Sequence, residues 1–405
     1  ARVRRTTIGF KEARDLVAAR IGPLPAREMD LTAAAGLVLA EGLTARVDSP
    51  SVDAAAKDGF AVISADVAGA SEAAPVRLTR LGSVFAGETT TLRLSPGACI
   101  QVTTGAPLPA GAEAVLAVEF TREEGDAVIC LADAAPGRNV WPRGQDVGRG
   151  RVVAEAGQVL SPGLLGLAAA AGCPAAKVYP RPRVALLATG TEVVVPGQPL
   201  PPGGVYASNL VTQTAWLDRY RLEATTRVVG DDPDGLRAAI TSLLPEADAL
   251  LTSGGAWLSQ RDLVRGMLED LGWDQVFHRV RLGPGKGVGF GLLDGRPVFI
   301  LPGGPPSNET AFLLLALPGL LRLAGHPDPG FPRVRARLAD PLEAQPGWTK
   351  VIRGRLAGGP EGLTFEPLTR AGRLTTLALT QGLVVLPEDR PGLFAGREVD
   401  VLDLR

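Results

Sequence analysis

Arg183-Val184-Ala185-Leu186-Leu187-Ala188-Thr189-Gly190-Thr191-Glu192 is the stretch whose pattern decides the fold. Residues 184–188 are apolar without interruption. A strand reads this way when both of its faces are buried, as in a parallel sheet covered by helices. Gly190 ends the run at a turn. The pattern recurs downstream. Residues 223–229 run into Gly230-Asp231-Asp232-Pro233, residues 247–252 into Ser253-Gly254-Gly255, and residues 297–301 into Pro302-Gly303-Gly304. Spacing predicts helices over 206–220, 235–244, 263–271 and 308–323. An aspartate before Pro233 predicts a helix N-cap with proline in the first turn. Strand, loop and helix in alternation predict a parallel α/β sheet over 183–325.

The flanks differ. Residues 43–145 hold short β-like runs (60–63, 76–81, 98–102, 114–118, 127–131) punctuated by glycine and proline, which predicts a β-rich module. Residues 331–405 repeat that texture at 334–338, 363–366, 382–386 and 398–402. Helical spacing places Phe10, Ala13, Leu16, Val17 and Ile21 on one face, and Asp30 would cap a second helix over 31–39. A short apolar helix is expected at 164–171, ending at Gly172. The chain has 405 residues, enough for two to four domains at roughly 100–200 residues each. Its 50 glycines and 34 prolines fit many short elements joined by sharp turns.

Composition excludes several classes. With 42 basic against 43 acidic side chains the net charge is −1, which argues against a nucleic-acid protein built on a basic face. The longest apolar helix candidate, 311–324, contains Pro318 and is too short to cross a bilayer, so no membrane role is expected. Cys99, Cys130 and Cys173 are scattered and odd in number, as in a reduced, cytoplasmic protein. The basic N-terminal residues lack an apolar signal core. His278 and His326 are the only histidines, so a histidine- or cysteine-rich metal centre is not expected. Chemistry here would rest on carboxylates, lysine, hydroxyls and backbone amides.

In open parallel sheets, ligands bind beyond the carboxyl ends of the strands, against helix N-termini. The glycine-rich loops all fall there. Glycine lets backbone N–H groups approach an anion, and a helix N-terminus adds a favourable field. Glu192, Asp232 and Asp262 would project into the same crevice. Carboxylates beside an anion cradle suit a phosphorylated ligand held with Mg²⁺. Taken singly, a Gly-Gly after a strand is more often a plain turn, Asp232 most often a helix cap, and Pro284-Gly285-Lys286 could be a surface turn. Four loops in strand order point to a nucleotide- or phosphate-type ligand.

The chain resembles the molybdopterin molybdotransferases, the MoeA-type molybdenum insertases whose relatives include the E domain of gephyrin. The resemblance runs over nearly the whole sequence. It rests on residues 53–62 (Asp-Ala-Ala-Ala-Lys-Asp-Gly-Phe-Ala-Val), Thr103-Thr104-Gly105-Ala106-Pro107-Leu108-Pro109, Gly144-Gln145-Asp146-Val147, and residues 181–192. It rests also on Ser253-Gly254-Gly255 with Asp262, Pro284-Gly285-Lys286 and Leu301-Pro302-Gly303, all in order. The resemblance implies a multi-domain α/β plus β fold. A central parallel α/β domain like the molybdopterin adenylyltransferases (183–330) would be flanked by a β domain (46–145). A discontinuous helical dimerisation region (1–45 and 146–182) and a C-terminal β-barrel-like domain (331–405) would complete it. It implies a homodimer, with molybdopterin adenylyltransferase as a further partner. The implied reaction is Mg²⁺-dependent insertion of molybdate into adenylylated molybdopterin with release of AMP. The cleft would lie between the α/β domain of one subunit and the β domain of the other.

By the same resemblance Asp58, Asp146 and Asp232 are the expected catalytic residues. Thr104, Gly105, Glu192, Ser253, Gly254, Gly255, Lys286, Pro302 and Gly303 are the expected substrate-binding residues. Asp232, Asp262 and Glu192 would hold Mg²⁺. The motifs also depart from the family pattern. Asp-Asn-Ser-Ala-Met-Asp-Gly-Tyr is Asp53-Ala54-Ala55-Ala56-Lys57-Asp58-Gly59-Phe60, Lys-Pro-Gly-Lys is Gly283-Pro284-Gly285-Lys286, and Pro-Gly-Asn-Pro is Pro302-Gly303-Gly304-Pro305. Trp257 stands at a serine position, and Trp348 at an arginine position. Losing one charge-assisted hydrogen bond costs about 1.5–3 kcal/mol, so these changes bear on affinity. Two functions stay open: the insertase, and a diverged, non-catalytic pterin-binding or scaffold paralogue of the same fold.

Overall fold

The apolar run at 184–188 resolves into two faces. Val184, Leu186 and Ala188 pack into one buried cluster, while Ala185 and Leu187 pack into a second on the opposite side. Side chains alternate along a strand, so a run without polar positions fits only a sheet covered on both faces. The computed structural model describes residues 7–254, 263–360, 362–369 and 372–405. It contains two compact units, Glu28–Val178, and the chain up to Arg27 together with Tyr179–Arg405.

In the second unit the strands are β1 (Arg183–Thr189), β2 (Glu223–Val229), β3 (Ala249–Ser253), β4 (Asp274–His278), β5 (Gly289–Leu293) and β6 (Arg296–Leu301). Their order in the sheet is β2-β1-β3-β6-β5-β4. The pairs β1–β2, β1–β3 and β3–β6 are parallel, with Leu186 opposite Leu251 and Leu251 opposite Phe299. The pairs β6–β5 and β5–β4 are antiparallel. This antiparallel edge was not evident from the sequence.

Helices α1 (Ser208–Arg219), α2 (Pro233–Leu243), α3 (Leu263–Asp270) and α4 (Pro305–Ala311) follow the strands. Leu236, Ile240 and Leu243 of α2 and Val264 and Leu268 of α3 cover one face, against Leu187, Leu250 and Ile300. The other face is covered by Leu210 and Leu217 of α1, by the helical continuation of α4 through Leu323, and by Phe10, Ala13 and Val17 of the helix Phe10–Arg20. Pro318 is accommodated in the first turn of the helix Leu317–Leu323, after a wider π-type turn over Phe312–Ala316.

The C-terminal strands Arg333–Leu338, Thr349–Gly359, Gly362–Pro367, Gly382–Leu386 and Glu398–Asp403 form a sheet that closes through pairing of Thr349–Gly359 with Gly382–Leu386. The β-barrel-like module expected here is therefore present. Its interior holds Leu338, Phe365, Val384 and Val401. Two distant segments extend the sheet, since Val280–Gly283 pairs with Thr349–Gly359 and Ile8–Gly9 pairs with Val280–Gly283.

In Glu28–Val178 a six-stranded sheet runs Ala114–Ala117, Gly59–Val62, Ala98–Val102, Ser71–Val84, Ala127–Ala132, Thr121–Glu124. Buried clusters lie around Phe60, Leu116 and Val128 and around Ala61, Ile100 and Val115. Ser161 caps the helix Pro162–Ala170 by accepting from Leu164 N. The helix expected over 31–39 does not form. Arg27–Asp30 is a strand beside Ala175–Val178, and Val38 and Leu39 bridge to Val159 and Val178. Gly36, at φ +74°, breaks the helical path. Tertiary strand pairing overrides local periodicity here.

Candidate functional site

The carboxyl ends of β1, β3 and β6 open onto a cleft of about 870 Å³. Its walls include Gly190, Ser253, Gly254, Gly303 and Gly304, the first turn of α1 with Ser208 and Asn209, and Glu192, Asp231 and Arg373. Gly254 sits at φ +107°, and a side chain there would meet the Thr189 carbonyl oxygen at 2.7 Å. That position is closed to other residues by conformation and by space. A groove of about 880 Å³ lies beside the helix Phe10–Arg20, but its Arg281 and Glu388 pair with each other at 2.8 Å.

A buried polar network underlies the cleft floor. Asn308 of α4 donates from Nδ2 to Ser253 Oγ (3.1 Å) and to the Pro302 carbonyl (2.8 Å). Asn209 donates from Nδ2 to Ser253 Oγ (2.9 Å) and to the Gly303 carbonyl (2.8 Å). Gln213 Nε2 donates to Asn308 Oδ1 at 2.8 Å. One residue on, Glu309 accepts from Trp216 Nε1 at 3.1 Å and stands 2.7 Å from Arg353 Nη1. Arg353 also donates to Thr310 Oγ1 at 3.0 Å. Burial pushes the Arg353 guanidinium below its usual value, and Glu309 opposes that shift.

The expected site residues distribute as follows. Glu192, Ser253, Gly254 and Gly303 line the cleft, and the Pro302 carbonyl is held beneath it. Asp232 is the N-cap of α2, accepting from Gly235 N at 2.7 Å. Its neighbour Asp231 lines the cleft and accepts from Thr191 N (3.4 Å) and Oγ1 (3.2 Å). Gly255 and Asp262, with Trp257, lie outside the described residues. Lys286 stands over the Trp348 ring, 5.1 Å from its centroid, and does not line the cleft.

The remaining expected residues belong to Glu28–Val178. Asp58 Oδ1 accepts from Thr104 N (2.6 Å) and Thr104 Oγ1 (2.8 Å). The backbone bond first, and the hydroxyl second, hold the Asp58 carboxyl below its ordinary value. Gly59 follows, and any side chain there would collide with the Leu116 carbonyl of the next strand. Gly105, at φ +83°, donates to the Ala55 carbonyl at 2.8 Å. Asp146 Oδ2 accepts from Ser49 Oγ at 3.3 Å.

No group of three or more His, Cys, Asp or Glu side chains among the described residues could hold a metal ion. Glu192 and Asp231 supply oxygen donors at the cleft. Mg²⁺ keeps much of its water and takes one or two carboxylates plus substrate phosphates. The donor set therefore fits an ion that arrives with a phosphorylated ligand.

Sequence reasoning did not assign Asp231, Asn308, Gln213 or Arg373 to the site. Gln213 was a readable signal, an amide in a helix whose other buried residues, Leu210 and Leu217, are apolar, whereas Asn308 lies in a helix that also buries Glu309 and Thr310. Arg373 gave none, because its place depends on how the barrel meets the cleft.

Residues 8–172 match the MoeA N-terminal region (domain I and II), residues 185–322 a probable molybdopterin binding domain, and residues 335–404 the MoeA C-terminal region (domain IV). These matches, with the fold, put the chain in the class of MoeA-type molybdenum cofactor biosynthesis proteins. Molybdopterin molybdenumtransferase 2 of Mycobacterium tuberculosis is 35% identical over 383 residues, covering 92% of this chain and 94% of its own. Molybdopterin molybdenumtransferase 1 of the same organism is 33% identical over 410 residues, covering 95% and 96%. The crystal structure of the molybdopterin biosynthesis MoeA protein from Pyrococcus horikoshii superposes with a TM-score of 0.82 at 32% identity, covering 99% of this chain and 100% of that one. The chain belongs to the MoeA family of molybdopterin molybdenumtransferases.

Proposed function

We propose that this chain inserts molybdate into adenylylated molybdopterin and releases AMP. The observation that carries the reading is one cleft in which the strand-end glycine loops, Ser253, Glu192, Asp231 and Arg373 converge. Gly190, Gly254 and Gly303 let the backbone approach the phosphates, and the N-terminus of α1 adds a favourable field. Arg373 supplies positive charge. Ser253 supplies a short hydrogen-bonding hydroxyl. Glu192 and Asp231 would hold Mg²⁺, and Asp262 would join them. When bound, the ion would neutralise charge developing on the phosphoanhydride oxygens.

Asp58 stays ionised at neutral pH, because its hydrogen bonds from Thr104 favour the charged form. A carboxylate in that state repels a bare oxyanion, so its role is to fix Thr104 and to favour a cation. Asp146, at the boundary of the β domain, acts with it. Asp232 acts by setting the first turn of α2 beside Asp231. Four domains are proposed, at 1–45 with 146–182, 46–145, 183–330 and 331–405, in a cytoplasmic homodimer that receives its substrate from molybdopterin adenylyltransferase. The family matches over 8–172, 185–322 and 335–404 support the division of the chain, and only that part of the reading.

The test is AMP release from adenylylated molybdopterin, dependent on molybdate and Mg²⁺. Release by the wild type that falls in Asp58→Ala and Asp146→Ala is the expected result. Absence of release, or release untouched by both substitutions, overturns it. One observation favours the second reading, a non-catalytic pterin-binding or scaffold paralogue. Lys286 rests on Trp348 and leaves the cleft with fewer cations. Pterin binding without turnover would identify that paralogue.

A further inference from the structure

We infer that Asn308, held by Gln213, is a positioning residue that makes Ser253 an obligate hydrogen-bond donor toward the cleft. The inference deepens the proposed function, on which its ligand assignment rests, and its substrate class is a pure acceptor group, a phosphate oxygen.

The argument is one of counting donors and acceptors. Backbone carbonyls only accept. The Asn308 amide atom 2.8 Å from the Pro302 carbonyl is therefore nitrogen, and so is the Asn209 atom 2.8 Å from the Gly303 carbonyl. Each Nδ2 carries two hydrogens. One goes to its carbonyl and the other to Ser253 Oγ, at 3.1 Å from Asn308 and 2.9 Å from Asn209. A serine hydroxyl has two acceptor sites and one proton. Both acceptor sites are filled, so the proton must leave in a third direction.

Among the described residues no acceptor takes that proton, and Ser253 lines the cleft. The hydroxyl thus presents only a donor to whatever binds there. Gln213 fixes which way that amide faces, because its Nε2 can donate only to an oxygen and it meets Asn308 Oδ1 at 2.8 Å. Ser253 is 6% exposed, and Gln213 and Asn308 are 1% exposed, so the Asn308 side of the network is shielded from water, while Asn209 is only half-buried. A donor held in a water-poor setting interacts more strongly with charge than a free hydroxyl. The family asparagine in the Pro-Gly-Asn-Pro loop is Gly304 here, and the amide that reaches Ser253 comes from Asn308, one helical turn later.

Asn308→Asp is the informative substitution. It keeps the outline and the bond from Gln213. The new oxygen should keep a proton toward the Pro302 carbonyl, but toward Ser253 it is an acceptor instead of a donor. Thermal unfolding checks that the variant is folded. The Ser253 proton should then swing inward, and the hydroxyl should face the cleft as an acceptor. Calorimetry on the full chain with AMP and with adenosine reads the consequence. AMP should bind about 10- to 100-fold more weakly, the factor for one lost hydrogen bond to a charged group. Adenosine should bind as before. Unchanged AMP affinity, or equal weakening of AMP and adenosine, overturns the inference.

Neutron diffraction of the ligand-free wild type provides a readout that needs neither nucleotide nor turnover. The Ser253 deuteron should point into the cleft. A deuteron aimed at the amide of Asn209 or Asn308 overturns the inference even if AMP binds. If wild-type protein binds no AMP while the deuteron points into the cleft, the proposed function fails and the positioning role stands.

Discussion

Asp58 Oδ1 accepts both hydrogen bonds that Thr104 can direct at it, one from the backbone N–H at 2.6 Å and one from the hydroxyl at 2.8 Å. Both favour the carboxylate, so Asp58 titrates below its ordinary 3.8. For a carboxylate depressed in the folded state, the stabilisation is present above the ordinary value. It is lost as pH falls through the lower, folded value. Thr104→Ala removes the hydroxyl and leaves the larger backbone contribution. NMR titration of the Asp58 carboxyl should show only part of the depression relieved. Full relief would mean that the backbone bond is not formed in solution.

Arg353 and Glu309 are a buried pair, at 7% and 8% exposure. Removing one partner of such a pair leaves an uncompensated charge and costs about 3–5 kcal/mol. Arg353→Leu should lower the urea midpoint accordingly. Arg353→Leu combined with Glu309→Leu should recover much of the loss, since matched apolar replacement of a buried pair is often near neutral.

Gly254 and Gly303 line the same cleft but differ in tolerance. At Gly254, φ +107° and the Thr189 carbonyl at 2.7 Å oppose any side chain. At Gly303 an added methyl would meet only Gly254 Cα, at 3.7 Å. Gly254→Ala should cost about 1–3 kcal/mol of stability from backbone strain. Gly303→Ala should leave unfolding unchanged. Urea denaturation of the two variants side by side decides this.

Arg373 is the basic side chain among the described residues that line the cleft. It is exposed, so its contribution is that of a screened surface charge. Arg373→Ala should weaken AMP binding about two- to fivefold at low salt. The difference should fade as ionic strength rises, and a salt series in calorimetry measures it.

Cys99 and Cys130 lie buried within the β unit, and burial pushes their thiols up to about 12 and about 11. The thiolate is the reactive form. At pH 8 neither should be alkylated in the native protein, and both should react once urea unfolds it. Mass spectrometry after timed labelling reads both states.

The α/β domain was legible because its signals were local and redundant. Leu186 and Leu187 lie in a run that only a doubly covered strand accommodates, and Asp232 with Pro233 announces α2. The segment at 31–39 misled because Leu31, Ala34 and Val38 have helical spacing, while long-range bridges from Val38 and Leu39 decide its conformation. The strand Thr349–Gly359 escaped because its glycines, and Arg353 in its middle, break the apolar pattern. At the site, strand-end glycines were readable from turn chemistry. The capping of α2 by Asp232 was readable from the sequence, whereas the placing of Asp231 on the cleft depended on loop geometry. Asn308 and Gln213 serve Ser253 across tertiary distance, and only the folded arrangement joins them.

The C-terminal barrel sheet draws strands from Ile8–Gly9 and Val280–Gly283 as well as from residues 333–403. During synthesis Ile8 therefore emerges long before Val280, and Leu282 before its partner Thr349. Each waits on the ribosome as an open edge, the kind of surface that recruits foreign strands. Completion of this unit consequently waits for synthesis of residues 333–403, and a chain stopped before them would be a sticky product rather than a smaller, well-behaved protein.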